Sequence, residues 1–184
     1  MINQKISEII RSRQSIYPQE YTGELIKKES IIEILENASY APTHKMTQPW
    51  IFKIFNNNSK EKLLQEILKQ NKSISEAARN KLRNKFNKSS HIICICMKRN
   101  NHLLPEWEEI ASTAMAVQNM WLSCVGSNIG GYWSSPKYSN KLKSFLSLDE
   151  NERCLGFFYL GIYKNNIIRN TKRININERI KWFK

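Results

Sequence analysis

A short, almost entirely apolar segment from His91 to Met97 constrains the fold more than any other feature of this sequence. An apolar run of this length, without alternating polar residues, is typical of a strand that is covered on both faces. Trp50 to Phe55 and Cys154 to Tyr163 are two further predicted strands, since aromatic and β-branched residues dominate them. The pattern therefore predicts a sheet with His91 to Met97 in a central position.

Helical patterns separate these strands without a regular alternation of strand and helix. The predicted helices are an opening helix over about Asn3–Arg11, one that begins at a Ser30–Glu33 capping box and stops at Ala41-Pro42, one from Asn58 to about Gln70, one from Ser73 to about Phe86, a long helix from Pro105 to about Val125 and a short exposed helix from about Asn140. The helices from Asn58 and Ser73 are polar enough to lie outside the core. The long helix is apolar on so many sides that we expect it to be buried.

Length and hydropathy favour one soluble domain. The 184 residues, 41% of them hydrophobic, are the usual size of a single core, so we expect one domain over 1–184. Mean hydropathy is -0.54, and no apolar run approaches the roughly 20 residues of a membrane-spanning helix. The first residues lack the apolar stretch of a signal peptide, so we expect a cytoplasmic protein.

The four cysteines lie within apolar segments and lack the spacing of a secreted disulfide framework. We therefore expect buried free thiols. Cys94 and Cys96 could form half of a metal site, but no second Cys pair or closely spaced His pair completes tetrahedral ligation. The prediction is that the protein binds no metal.

The net charge is +13 and the isoelectric point is about 9.7, which favours nucleic acid, an anionic membrane or a phosphorylated small molecule as partner. The basic residues concentrate over Lys60–Lys88 and Lys164–Lys184. Asn, Ile and Lys are all frequent here and are all encoded by A/T-rich codons. Genome composition is therefore an alternative source of the charge.

The end of the opening helix carries the first candidate site, Arg11-Ser12-Arg13-Gln14-Ser15. Guanidinium and hydroxyl groups hold a phosphate through charge-assisted hydrogen bonds. The alternative is structural, because cations are also favoured at the negative end of a helix dipole. The sequence pattern leaves both interpretations open.

A second candidate is the loop Ala41–Trp50, which is bounded by Pro42 and Pro49 and presents His, Lys, Gln and Trp within a few positions. Loops held between rigid elements are common sites of ligand contacts. His44 could act as an acid or base, but a loop histidine without a visible carboxylate partner is more often a hydrogen-bonding or surface residue. We predict no catalytic acid or base.

A third candidate is Gly130–Pro136, where paired glycines would let the backbone approach a ligand and the Trp133 ring and two serines would stack and hydrogen-bond. A tight turn is the structural alternative. The sequence contains no G-x-G-x-x-G, P-loop or G-x-S-x-G pattern. Side chains would therefore have to hold any phosphate.

In combination and order, these segments resemble the nitroreductase family of FMN enzymes, and especially its compact NAD(P)H nitroreductase branch. The matching segments are Arg13-Gln14-Ser15 preceded by Ile10, Ala41-Pro42-Thr43-His44-Lys45 followed by Gln48-Pro49-Trp50, Gly131-Tyr132-Trp133-Ser134-Ser135, Leu155-Gly156-Phe157-Phe158-Tyr159-Leu160-Gly161, and Lys172-Arg173 with Glu178, Ile180 and Trp182. The proline-bounded loop is the most specific of them. The resemblance spans nearly the whole chain.

The resemblance implies an α+β fold with a largely antiparallel sheet flanked by helices. It also implies a homodimer that exchanges C-terminal segments, about 165–184 here, and binds FMN at the interface. By position, the implied FMN contacts are Arg13, Gln14, Ser15 and Arg173 at the phosphate, Trp133, Ser134 and Ser135 along the flavin, and His44 and Tyr40 from across the interface. Gln14, Tyr40 and Ser134 depart from basic residues of the family.

The implied activity is transfer of hydride from NAD(P)H through FMN to a small electrophile such as a nitroaromatic or quinone, in a ping-pong reaction. One alternative is a flavoprotein of the same fold with other chemistry, such as dehalogenation or flavin breakdown. The other is a basic nucleic-acid-binding protein, which ranks lower because no nucleic-acid motif accompanies the charge. We expect no membrane partner.

Overall fold

The computed structural model describes residues 2–164, 167 and 171–183. Its helices are α1 (Gln4–Ser12), α2 (Lys28–Ser39), α3 (Asn57–Gln70), α4 (Glu76–Lys88) and α5 (Glu106–Ser123), and its strands are β1 (Trp50–Asn56), β2 (His91–Lys98), β3 (Ile129–Ser134) and β4 (Glu152–Ile162). Short 3₁₀ turns lie at Pro18–Glu20, His44–Met46, Lys137–Leu142 and Ile176–Glu178. The prediction of an α+β fold is confirmed.

The four strands form one antiparallel sheet in the order β1-β2-β4-β3. The predicted central position of β2 is confirmed, because β2 pairs with β1 on one side and with β4 on the other. All of its residues except Lys98 are buried. The register shifts between Ile95 and Cys96, opposite Gly156 and Cys154. This bulge bends β4 next to the end of β3.

The sheet separates two apolar cores. Ile92, Cys94 and Cys96 of β2 face α3 and α4, whereas Ile93 and Ile95 face α2 and α5. The alternation follows from the period of two along a strand. The protein is therefore a three-layer structure with helices on both faces of the sheet.

The prediction that the helices now called α3 and α4 lie outside the core is wrong. Their polar residues do face solvent, but one stripe of each helix is fully covered by the sheet. The buried residues are Leu63, Leu64, Ile67 and Leu68 of α3 and Leu82 and Phe86 of α4. Burial of each such side chain contributes about 1.5–3 kcal/mol. A narrow apolar stripe was enough to place both helices.

Three predicted helix starts are shifted. α2 begins at Lys28, so Ser30 lies inside the helix rather than at its cap. Ile26 is buried, and its N–H donates to Ser90 Oγ at 2.7 Å, which fixes the chain ahead of the helix. The cap of α3 is Asn56, two residues before the predicted start, and the cap of α4 is Ser75, two residues after it. Asx and Ser residues are so frequent here that several capping patterns overlap.

The prediction that α5 is buried on many sides is correct for only part of its surface. Ala116, Val117 and Met120 are fully buried against the sheet. Trp107 is 67% exposed and Met115 is 37% exposed. One apolar side of α5 therefore remains open in the single chain.

The Gly130-Gly131 pair lies within β3, which was not among the predicted strands, so the alternative of a tight turn at these glycines is wrong. A Cβ on Gly130 would lie 2.6 Å from Ile16 Cβ, and a Cβ on Gly131 would lie 2.6 Å from Phe158 Cζ. The glycines therefore admit protein side chains on both faces of the strand. The short helix predicted from Asn140 is a 3₁₀ turn with a buried Leu142 rather than an exposed helix.

The cysteines and the lysines have defined places. All four cysteines are free and buried, as predicted. Part of the Lys60–Lys88 concentration is structural, since Lys60 Nζ donates to the carbonyls of Phe86 and Ser89 and Lys88 Nζ donates to the carbonyl of Gln19. Within the described ranges, no helix is long and apolar enough to cross a membrane.

Candidate functional site

An extended segment after α1 runs beside the edge strand β3. The Ile16 N–H donates to the Gly131 carbonyl at 3.1 Å, and the buried Tyr21 hydroxyl donates to the Ile16 carbonyl at 2.8 Å. Ile16 itself is 3% exposed and packs against Gly130. Because its backbone and side chain are both fixed, this segment holds the preceding residues, 13–15, at one end of α5.

Arg13 lies half-buried over α5, with its guanidinium carbon 5.0 Å from the centre of the Trp121 ring. Trp121 is held in turn, because its Nε1–H donates to the Gly131 carbonyl at 2.8 Å. Burial, and next the charge of Arg173, lowers the pKa of Arg13. Among the described residues, no carboxylate forms an ion pair with either arginine. Two like charges therefore converge where an anion would be favoured.

These arginines line a cavity of about 1000 Å³. Its lining residues are Ile10, Arg11, Ser12, Arg13, Gln14, Ser15, Gln118, Trp121, Ile167, Thr171 and Arg173. The Gln14 side-chain amide donates to the Ile167 carbonyl at 2.5 Å, which ties this segment to the chain leading toward Arg173. Arg13 is also the C-cap residue of α1, so the structural and the binding interpretation describe the same side chain. Four predicted site residues, 13–15 and 173, meet at one cavity.

A smaller cavity of about 250 Å³ lies where the same segment continues past β3, and sequence reasoning missed it. Tyr17, Tyr132 and Lys85 line it, with Lys85 Nζ 5.6 Å from the centre of the Tyr132 ring. Burial, and then the charge of Lys81, lowers the pKa of Lys85. A basic residue on a polar helix carries no sequence signal that distinguishes it from its solvated neighbours.

The proline-bounded loop has a strained backbone. Lys45, Met46 and Gln48 have φ values of 50°, 53° and 43°, a left-handed region that non-glycine residues rarely adopt. Thr43 supports this conformation, since its hydroxyl lies 3.1 Å from the Thr47 hydroxyl and accepts the Gln48 N–H at 3.1 Å. These two hydrogen bonds restrain the loop, although it is exposed.

His44 lies in this loop and has the carboxylate partner that the sequence did not reveal. Its Nδ1 is 2.5 Å from Oε2 of Glu108 on α5. The expectation of a histidine without such a partner is wrong, because 64 residues separate the two in the chain. They line a third cavity of about 510 Å³ together with Trp107 and Met115.

The remaining predicted site residues lie apart from both groups. Trp133 packs on the α5 side of the sheet, and its buried Nε1–H has no acceptor among the described residues. Ser134 ends β3 half-buried, and Ser135 is exposed beyond it. Tyr40 is 84% exposed after α2 and lines neither the arginine cavity nor the His44 cavity. A single chain thus does not gather all nine residues.

A model of the nitroreductase family matches residues 10–162 of this chain. The chain belongs to the nitroreductase family. The match includes the Arg13 segment, the proline-bounded loop and all four strands. Arg173 and the residues after it lie beyond the matched range.

Two relatives carry the provisional name of NAD(P)H nitroreductase. YfhC of Bacillus subtilis is 25% identical over 181 residues, which cover 95% of this chain and 92% of YfhC. YdjA of Escherichia coli is 30% identical over 139 residues, which cover 72% of this chain and 75% of YdjA.

Solved structures share the fold. A nitroreductase-like protein of Bacillus cereus has a TM-score of 0.84 at 23% identity, with 100% of this chain and 98% of that chain covered. A nitroreductase of Bacteroides fragilis with bound FMN has a TM-score of 0.74 at 19% identity, with coverage of 99% and 100%. NfnB of Mycobacterium smegmatis, an FMN-dependent nitroreductase in complex with NADPH, has a TM-score of 0.79 at 13% identity, with coverage of 98% and 99%.

Proposed function

We propose that this protein is an FMN-dependent NAD(P)H oxidoreductase that reduces a small electrophile such as a nitroaromatic or a quinone in a ping-pong reaction. The observation that carries the proposal is the convergence of Arg13 and Arg173, without a described carboxylate partner, on a cavity of about 1000 Å³ in a chain of the nitroreductase family.

The residues at this cavity fit the phosphate of FMN. The dianionic group would offset the repulsion between Arg13 and Arg173, and charge-assisted hydrogen bonds from guanidinium groups suit its oxygens. Ser15 lines the same cavity beside them. Gln14 contributes less than a second arginine would, because its amide N–H already bonds the Ile167 carbonyl.

FMN supplies the hydride chemistry when it is bound, so the protein's part is to hold and orient it. Trp133, Ser134 and Ser135 would lie along the ring. Lys85 is a further candidate, since the segment that begins at Arg13 continues to its cavity. A half-buried ammonium group there would stabilise negative charge on a bound ligand.

We also propose a homodimer with exchanged C-terminal arms. Residues 171–183 of the arm are exposed throughout, and they include Trp182 at 84% and Phe183 at 85% exposure. α1 buries no residue and exposes Ile6, Ile9 and Ile10. Apolar surface of this extent is typical of an interface. Residues 165, 166, 168–170 and 184 of the predicted arm lie outside the described residues.

The dimer would bring the scattered site residues together. His44 and Tyr40 would reach the flavin held by the partner subunit, which accounts for their distance from the arginine cavity. NAD(P)H and the acceptor would use the same face of the flavin in turn.

The test is an absorbance spectrum of the purified protein after FMN addition and desalting, followed by anaerobic NADPH or NADH. We expect retained flavin that either nicotinamide bleaches and that a nitroaromatic or quinone restores. Retained flavin with poor turnover of both acceptors would favour dehalogenation or flavin breakdown. A protein that retains no flavin would contradict the proposal and direct attention to salt-dependent nucleic-acid binding.

Removal of residues 173–184 tests the exchanged arm. We expect a shift from dimer toward monomer in light scattering, together with loss of flavin. Full-length Arg173→Ala is the matched control, because it removes the charge and keeps the apolar arm. A truncated protein that remains a flavinated dimer would contradict the exchange.

A further inference from the structure

The His44–Glu108 pair has the geometry of a proton-transfer pair. An ionised carboxylate only accepts hydrogen bonds, so Nδ1 of His44 carries the hydrogen that it shares with Glu108 Oε2. Nε2, the other ring nitrogen, has no hydrogen-bond partner among the described residues. The two side chains are 57% and 20% exposed, so water reaches the imidazole more readily than the carboxylate.

The surroundings of the pair suit a flat, uncharged molecule. The cavity beside His44 has a volume of about 510 Å³ and apolar walls from Pro42, Ala111 and Met115. The Trp107 ring, 67% exposed, provides an aromatic face next to the imidazole. Aromatic side chains stack on planar ligands, and a few polar groups then fix the orientation.

The backbone that carries His44 is preorganised. Lys45 and Met46, directly after it, hold left-handed conformations, and the Thr43 hydroxyl bonds the backbone at Gln48. A proton donor works when it is held at a defined position relative to the reacting atom. The strained loop and the fixed carboxylate on α5 provide that restraint from two different elements.

We propose that His44 donates a proton to an oxygen of a planar nitro or quinone acceptor, with Glu108 as its positioning residue and Trp107 as the stacking surface. The inference rests on the proposed function, since the hydride comes from NAD(P)H through the FMN of the partner subunit. It adds a catalytic residue where the sequence predicts none.

The stoichiometry requires one proton for each hydride. A quinone that gains a hydride and a proton becomes a hydroquinone, and a nitro group that gains both becomes a nitroso group with release of water. In either case the Nε2–H bond of protonated His44 breaks and an O–H bond forms on the acceptor. The neutral imidazole then regains its proton from water.

The two half-reactions separate this inference from the proposed function. We expect His44→Gln and Glu108→Gln, saturated with FMN, to slow reoxidation by the acceptor much more than they slow reduction by NADPH. Reoxidation by para-benzoquinone or nitrobenzene should slow about 100- to 10,000-fold, as removal of a general acid does. Glu108→Asp keeps the carboxylate and should recover part of the rate. His102→Gln, at an exposed turn, is the matched control.

Nuclear magnetic resonance of the flavin-free protein provides a second readout. The chain has three histidines, so the His44 ring signals are assigned by their loss in His44→Gln. Glu108→Gln should shift the Nδ1 signal of His44 and leave that of His102 in place.

Wild-type reoxidation rates in both variants would overturn the inference while the proposed function stands, as would equal slowing of both half-reactions. A wild-type protein without flavin would instead defeat the proposed function.

Discussion

At the end of α5 that carries Trp121, two arginines approach each other without a described counter-charge, whereas near its beginning His44 and Glu108 share a hydrogen bond. We call the first group, Arg13, Arg173 and Trp121, the arginine end. The second group, Thr43–Gln48 with Glu108, is the loop end. Charge is unbalanced at the arginine end, and backbone conformation is strained at the loop end.

The difference separates binding from chemistry. The arginine end has a relaxed, extended backbone that hydrogen-bonds to β3. Its unfavourable free energy comes from the repulsion between the two arginines, which a bound anion removes. At the loop end, His44 and Glu108 already satisfy each other by a hydrogen bond without a ligand. The unfavourable free energy of the loop end comes from its backbone conformation, which positions the imidazole of His44. The first end is suited to retaining a cofactor, and the second to orienting a reacting group.

The largest expected effect is at the arginine end. Arg13→Ala should weaken FMN binding about 10- to 100-fold, because a charge-assisted contact contributes about 1.5–3 kcal/mol. The melting temperature of the flavin-free protein should change little, since the loss of the Trp121 contact is offset by relief from Arg173. Fluorescence titration with FMN measures the affinity. Arg83→Ala, on an exposed part of α4, is the control, and equal affinities in the two variants would refute the phosphate role.

Gly130→Ala tests whether β3 positions the arginine end. The new Cβ would lie 2.6 Å from Ile16 Cβ and 2.9 Å from Tyr21 Cε1, so the segment carrying Arg13 must move. We expect a loss of about 1–3 kcal/mol in the free energy of unfolding, measured in urea, and weaker FMN binding. The His44 ring signals serve as an internal control for the loop end. FMN affinity that survives the destabilisation would break the proposed link.

A third prediction separates pH effects on the fold from those at the loop end. His91 is 5% exposed and lies 2.8 Å from Ser90 Oγ and 3.3 Å from Asn56 Nδ2. Burial, and next the charge of Lys60, lowers its pKa in the folded protein. The unfolded chain therefore takes up this proton first, and stability should decrease as the pH falls below about 6.5, by at most about 1.4 kcal/mol per pH unit.

Urea unfolding at pH 7.5 and lower measures this dependence. His91→Gln should flatten the slope, whereas His102→Gln should retain it. Identical slopes in the wild type and His91→Gln would assign the pH dependence to other groups.

The smallest expected effect is at the loop end. Lys45→Gly should raise the free energy of unfolding by about 0.5 kcal/mol, because glycine adopts a φ of 50° without strain while the more flexible unfolded chain offsets part of the gain. Thermal unfolding measures the difference. Lys53→Gly, within β1, should instead destabilise. A loss of similar size in both variants would show that the loop stores no strain at Lys45.

Local patterns predicted the elements better than they predicted the surfaces. The central position of β2 followed from an uninterrupted apolar run, and the end of α2 followed from Pro42. The sequence did not predict the exposure of Trp107. An apolar residue on a helix gives the same pattern whether the protein's own sheet or a second copy of the chain covers it. β3 was not predicted, because paired glycines are typical of a tight turn and Ile16, which packs on Gly130, is remote in the chain.

The sequence by itself determined β1, β2 and β4, the helices α1 to α5 and, through its motifs, the family. Periodicity and local backbone preferences act over a few neighbouring residues, so they are visible in one dimension. Only the tertiary structure decided that Arg13 meets Arg173, that Lys85 turns inward and that His44 meets Glu108. The two pairs join residues more than 60 positions apart in the chain, and the place of Lys85 depends on which side of its helix the sheet covers. The energies of such contacts depend on distance in space, which the order of residues does not show.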